Sequence, residues 1–241
     1  MISPQKGHSG LNDPYDIPLY YSAEVARLVD ITTYRVHRWL EGYKYLYETK
    51  IIKKPPVVKK RGNNYLRPNY ASFYDLIDLL LVKRFLDYGL SLQKIRKAFY
   101  EAEQILNTSH FAHQKFFTDG KNICLQIKDK GKGRGETILE LLSDGQWVIS
   151  DLVKQLAHQI IFDDITKEAR RWFPEEGDNL VVLDPRISFG KPIIEKKGIT
   201  TENIYNFYIG EGSREVPTVR WFNLDSREIR AAVKFEEYLA A

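Results

Sequence analysis

A chain of 241 residues with 43% hydrophobic and 13% aromatic content can bury real cores, which excludes disorder as its general state and suggests two domains with a connecting unit. A single cysteine, Cys124, excludes an internal disulfide and lacks the partner cysteines of a structural zinc site, so a reducing compartment is expected. The net charge of +4 conceals an uneven distribution: residues 35–70 hold ten Lys or Arg against two Glu, a local +8, and the remainder carries 26 basic against 30 acidic residues, or −4. Such a basic block is the footprint expected of phosphate binding, because each cation on a duplex releases condensed counterions; a merely solvated charged face is the alternative.

Residues 1–18 carry glycine, serine, asparagine and three prolines without an apolar period, and read as a flexible leader. Ser22 is the expected N-cap of a short helix with Val25, Leu28 and Val29 inward, and Asp30 interrupts it. A second helix from Thr32 or Thr33 buries Val36, Trp39 and Leu40. Ala26 is small enough for a close helix crossing, Asp30 tolerates a left-handed turn, and Ile31 completes the apolar offsets, which together make a helix-turn-helix. An ordinary helical hairpin is the alternative. At 3.6 residues per turn the inward positions leave Tyr34 and Arg38 on the opposite side, flanked by Thr33, Arg35 and His37 as candidate DNA contacts.

The stretch from Lys53 to Arg67 reads as a wing. Pro55 and Pro56 exclude helix, Gly62, Asn63 and Asn64 supply the turn, and Lys59, Lys60, Arg61 and Arg67 are candidate phosphate contacts. Ser72 and Asp75 open an apolar helix through Leu86, Gly89 ends it, and Ser91 caps a further helix with Ile95, Ala98, Phe99, Ala102, Ile105 and Leu106 on one face.

In their order, Ser22–Leu28, Arg38–Gly42, Tyr70–Leu76 and Phe85–Ile95 resemble the MerR and excisionase group of winged helix-turn-helix proteins, over roughly a third of the chain. The resemblance implies a sequence-specific protein that binds a double-stranded DNA operator, and a homodimer. The last helix gives out near Asn107, where MerR regulators continue into a long dimerising coiled coil and an effector domain.

Residues 108–180 read as an α+β connector and a candidate dimerisation unit. An Asp-Gly turn at Asp119-Gly120 suggests a hairpin over 115–127, a short helix is expected near Ile138–Leu142, and a better one runs from Ser150 through Leu152, Val153, Leu156, Ala157, Ile160 and Ile161. Trp172-Phe173 after Arg170-Arg171 suits either core packing or an aromatic anchor for a partner.

In residues 181–241, Thr200 or Thr201 caps a helix ending near Gly210, Ser213 caps a second with Val216 and Val219, and Asp225 with Glu228 opens a third with Ile229, Ala232, Val233 and Tyr238 on one face. This region holds nine basic and nine acidic residues, so it lacks electrostatic drive toward a duplex. Asp184–Ile194, Gly198–Ile204, Gly210 and Glu228–Glu236 resemble the short homeodomain-like domain of VapB-like antitoxins, although the basic residue usual after Gly198 is replaced by Ile199. That likeness implies the antitoxin and autorepressor of a toxin-antitoxin operon, with a PIN-like ribonuclease toxin as partner. Trp221, Phe222 and Phe235 are then candidates for the partner-facing surface, with burial in the three-helix core as the alternative for each.

Gly131–Gly135 fits neither dinucleotide nor Walker spacing and reads as an exposed loop. His110 with His113, and His158 with Asp163 and Asp164, lack the convergent spacing of a metal site, and Cys124 has no histidine partner. No acid, base and nucleophile converge, so neither an enzyme nor a metal or cofactor is expected. The fold expected is mainly α with small β elements: leader 1–18, winged helix-turn-helix 19–107, connector 108–180 and three-helix domain 181–241. With no membrane-spanning run, the protein is expected in the cytoplasm, associated with the nucleoid. A plain MerR-like regulator, whose C-terminal domain dimerises or binds a ligand, is the alternative.

Overall fold

The computed structural model describes residues 13–60, 69–87, 89–106, 112, 155–175, 177 and 179–240. The sequence-expected class, mainly α with small β elements, is the one observed. Local capping chemistry sets many of the helix starts. Thr32 accepts a hydrogen bond from Arg35 N at 3.2 Å, Ser91 from Lys94 N at 3.3 Å and Thr200 from Asn203 N at 3.4 Å. Reciprocal pairs, in which each side chain accepts from the other residue's backbone N–H, form between Ser72 and Asp75 and between Asp225 and Glu228.

The N-terminal part runs β1 (Tyr20–Tyr21), α1 (Ser22–Val29), α2 (Thr33–Glu41), β2 (Tyr43–Tyr47), β3 (Lys50–Lys54), β4 (Tyr70–Ala71), α3 (Phe73–Asp87) and α4 (Leu92–Leu106). Then come β5 (Ile160–Phe162), β6 (Ala169–Trp172), β7 (Val181–Val182), β8 (Ile193–Ile194), α5 (Thr201–Gly210), α6 (Glu215–Phe222) and α7 (Ser226–Ala240). The strands form antiparallel pairs, β1 with β4, β2 with β3, β5 with β6 and β7 with β8.

Two caps differ from expectation. Ser22 is the first residue of α1 rather than its cap, and its hydroxyl donates to Asn69 O at 2.9 Å, tying α1 to the segment before β4. Ser213 has a positive φ and gives no capping bond; Arg214 precedes α6 instead. The helix expected to run through Ile160 and Ile161 is helical at residues 155–159 and then becomes β5, because β6 offers a strand partner that sequence periodicity cannot reveal. The hairpin at 115–127, the helix near 138–142, Ser150, Gly131–Gly135, His110, His113 and Cys124 lie outside the described residues, as do the side chains of Ala98, Ala102, Ile105 and Leu106.

Helix α3 is the spine. Leu76, Ile77, Leu79, Leu81 and Val82 are all fully buried, so the helix is enclosed on every side from Phe73 to Val82, while Asp87 at its end is exposed. The core around it includes α1 and α2 and continues without a break into Trp172, Leu183, Ile204, Ile229, Ala232 and Phe235. Trp172 and Phe173 are thus core residues, not an exposed anchor.

Specific bonds join the N-terminal and C-terminal parts. Tyr20 Oη donates to Gly190 O at 3.0 Å, and Gly190 has φ +77 with no room for a side chain, since a Cβ would lie 2.5 Å from that phenol oxygen. Tyr74 Oη donates to Glu168 at 2.9 Å, and the Arg170 guanidinium lies 4.3 Å from the Tyr15 ring centroid. Residues 13–18, expected as leader, are therefore held in place: Tyr15 is buried and stacks on Tyr74. An aromatic ring without a flanking apolar period gives no such signal in sequence.

Asp75 is fully enclosed, and burial pushes its carboxyl up to about 6 in spite of the opposing bonds from Ser72 and the nearby Lys60 charge. The folded state therefore binds the proton more tightly than the unfolded one. Its contribution to stability is greatest below the unfolded value near 3.8 and falls as pH rises through about 6. Asp75→Asn keeps an acceptor for Ser72 N and should flatten this fall in urea titrations between pH 4 and pH 7; an unchanged pH profile would contradict it.

Candidate nucleic-acid interface and C-terminal surface

The turn between α1 and α2 is built by Asp30 in the left-handed region (φ 54, ψ 56), which lets Ile31 N reach back to Ala26 O at 2.9 Å. Close crossing follows, with Val25, Ala26, Val29, Val36, Trp39 and Leu40 all buried. The other side of α2 faces solvent. Thr33, Tyr34 and Arg35 are exposed, and His37 and Arg38 are half-buried. His37 Nδ1 lies 3.8 Å from Glu41, one turn on.

Arg38 is positioned rather than loose. Its Nη1 donates to Tyr34 Oη at 3.2 Å, and its guanidinium lies 3.4 Å from the Tyr43 ring centroid. Both contacts hold the guanidinium in one place on the solvent-facing side of α2. The expected DNA-facing residues of α2 are therefore gathered on one accessible face.

The basic segment after α2 is organised differently from expectation. Both Val57 N and Val58 N donate to Trp39 O, at 2.7 and 3.0 Å, which draws the chain against α2 and carries Lys60 inward. Lys60 is only 5% exposed and pairs with Glu41 at 3.3 Å, so it is a structural cation and not an outward phosphate contact. Lys59 is exposed, with its ammonium 6.0 Å from the Tyr100 ring. Arg61, Asn63, Asn64 and Arg67 lie outside the described residues.

Sequence reasoning missed the β2–β3 hairpin, and it placed Lys53 and Lys54 in a wing arm when they end β3. The signal was present in Tyr43-Lys44-Tyr45-Leu46-Tyr47 and Ile51-Ile52, aromatic and β-branched runs that suit strands. Glu48, at φ 53, helps turn the chain between them.

At the C-terminal end, Trp221 is 71% exposed and stacks on Phe207, with ring centroids 5.4 Å apart and planes 17° apart. Phe222 is half-buried and meets Phe207 edge-on. Phe235 is buried in the core, because α7 turns that side toward α1 and Trp172; it is not a surface residue. Tyr238, expected on the apolar face of the last helix, is exposed.

Between α1, α3 and α7 lies a cleft of about 330 Å³ lined by Leu28, Leu80, Trp172, Phe235 and Tyr238, with Lys83 and Arg84 among its polar residues. The buried Trp172 Nε1 has no hydrogen-bond acceptor among the described residues. Asp163 accepts from Ile165 N and Thr166 N and pairs with Arg170, a turn-forming role, and no cluster suited to a metal ion occurs among the described residues. No described helix is long and apolar enough to cross a membrane.

No family model matches the chain. A Mycobacterium tuberculosis protein named "Putative antitoxin VapB45" is 23% identical over 204 residues, covering 82% of this chain and 85% of that protein. The crystal structure of Rv2018 from the same organism superposes with a TM-score of 0.69 at 21% identity, over 91% of this chain and 99% of the other, so the chain shares its fold.

Proposed function

We propose that the protein is an antitoxin that represses its own operon: it binds duplex DNA through α2 and holds a PIN-like ribonuclease toxin through its C-terminal part. The observation carrying the DNA half is the outward Thr33, Tyr34, Arg35 and Arg38 face of a tightly crossed helix-turn-helix, set within the most basic stretch of the chain. A major groove admits one α-helix, and arginine is the side chain best suited to the paired acceptors of guanine. Lys59, Arg61, Asn63, Asn64 and Arg67 are assigned to a wing on flanking phosphates, and dimerisation matches a two-fold operator.

The antitoxin half draws on the likeness to the mycobacterial relative and on the balanced charge of residues 181–241. Anisotropy titration of the full chain should show the duplex upstream of its own gene bound at least about 10³-fold more tightly than a scrambled duplex at physiological salt. Equal affinity for both would overturn the operator assignment.

Trp221 is the residue best placed to anchor the toxin, as an exposed indole already held by Phe207. Trp221→Ala should weaken toxin binding at least about tenfold, or ~1.4 kcal/mol, while leaving DNA affinity unchanged. Calorimetry on both partners checks this, and equal loss on both would remove Trp221 from the partner surface.

The cleft between α1, α3 and α7 favours a second reading, a regulator whose affinity for DNA responds to a small ligand held there. Operator affinity that shifts with such a ligand in the absence of any toxin would favour it.

A further inference from the structure

The cleft between α1, α3 and α7 sits where the N-terminal and C-terminal parts meet. Leu28 of α1, Leu80 of α3, Pro174 after β6, and Phe235 and Leu239 of α7 line it, so an apolar ligand body would find cover from elements far apart in sequence. Its volume of about 330 Å³ lies at the lower end of the range for small-molecule sites.

The charged residues around the cleft are not equivalent. Lys83 pairs with Asp87 at 2.7 Å and with Asp30 at 3.7 Å, and Lys234 pairs with Glu175 at 3.2 Å, so every lining carboxylate already has a cation. Arg84 is the lining cation left over. It is half-buried and makes no hydrogen bond, ion pair or ring contact with any described residue. A guanidinium partly withdrawn from water gains most from a planar acceptor pair such as a carboxylate. A neutral ligand would leave that group unanswered, and a cation would have to displace Lys83 or Lys234 from its carboxylates.

We propose that this cleft binds a small amphipathic anion, a carboxylate on an apolar chain or ring, with Arg84 holding the carboxylate and Leu28, Leu80 and Phe235 covering the apolar part. Its link to DNA rests on the ligand-responsive reading of the cleft, and the geometry supplies a route. Asp30 lines the cleft, sets the left-handed turn between α1 and α2, and is paired with Lys83 beside Arg84. A ligand seated there meets the turn that aims α2 and the helix that ends the C-terminal part. It acts on DNA binding to the extent that it prefers one arrangement of these elements over another.

Octanoate is the test ligand, with octanol and octylamine as its neutral and cationic counterparts. Calorimetry on the full chain should show octanoate bound, and the other two at least about tenfold weaker, the worth of one charge-assisted contact. Arg84→Gln should weaken octanoate at least about tenfold and leave octanol unchanged, whereas Arg220→Gln, exposed on α6, should affect neither. Tyr238→Glu, at an exposed lining position, should also weaken octanoate, by like charge. No octanoate binding, or binding indifferent to both cleft variants, would overturn the site while leaving the DNA reading of α2 in place. Operator affinity at saturating octanoate separates the two claims. A shift of at least about fivefold in the wild type, absent in Arg84→Gln, supports both. Octanoate binding without a shift keeps the site and ends the ligand-responsive reading. A shift driven by octanol and not by octanoate keeps that reading and overturns the anion site.

Discussion

Replacing Phe235 with alanine is expected to destabilise the full chain by about 3 to 5 kcal/mol, the usual cost of deleting a buried aromatic side chain. The loss should appear in the N-terminal and C-terminal parts together. Phe235 is 3% exposed on α7, yet it belongs to the same continuous core as Val25 and Val29 of α1 and the apolar residues of α3. The Tyr20 to Gly190 bond crosses the same junction. Thermal unfolding followed separately by Trp39 and Trp221 fluorescence in single-tryptophan variants should give coincident transitions, both lowered by Phe235→Ala. Two separate midpoints, with only the Trp221 signal displaced, would show that the parts unfold independently.

Arg38→Ala is expected to cost about 1 to 3 kcal/mol in operator binding, or roughly 5- to 150-fold, with little effect on the fold. The guanidinium is held between Tyr34 and Tyr43, so its ordering cost is met before DNA arrives. Arg38→Lys should recover little, because an ammonium has neither the planar stacking surface nor the paired donors. Thermal stability should change by less than about 1 kcal/mol, the worth of exposed cation–π contacts. Competition against duplexes altered at single positions would show one position relaxed. Equal losses on operator and random duplex would make Arg38 a phosphate contact.

Many features resting on neighbours in sequence were legible, although Ser22 and Ser213 do not cap as expected. Asp30 in the turn, Ser91 and Thr200 as caps, and the Asp225 and Glu228 pair depend on residues close in sequence, and each appears where its residue type predicts, as does the helix start at Thr32 or Thr33. Features set by distant partners were not. Lys60 reads as one more cation in a basic run, and its inward turn shows once Glu41, the buried Asp75 and the backbone of Trp39 are in place. Phe235 reads equally well as core or surface until α7 is packed against α1, and Ile160 becomes a strand residue only because β6 lies beside it. The β2–β3 hairpin was hidden for another reason: proline and glycine after it drew the turn assignment downstream, away from strands whose own turn contains neither.

The most direct test of the account is co-expression of the full chain with a tagged product of the adjacent gene, followed by gel retardation of the upstream duplex with whatever purifies. The account predicts a stoichiometric complex that retards the upstream duplex and not a scrambled one, with Trp221→Ala breaking the complex and Arg38→Ala breaking retardation alone. A tagged neighbour that purifies without this chain, while the chain by itself still retards the duplex, would contradict the antitoxin assignment and leave a plain regulator in its place.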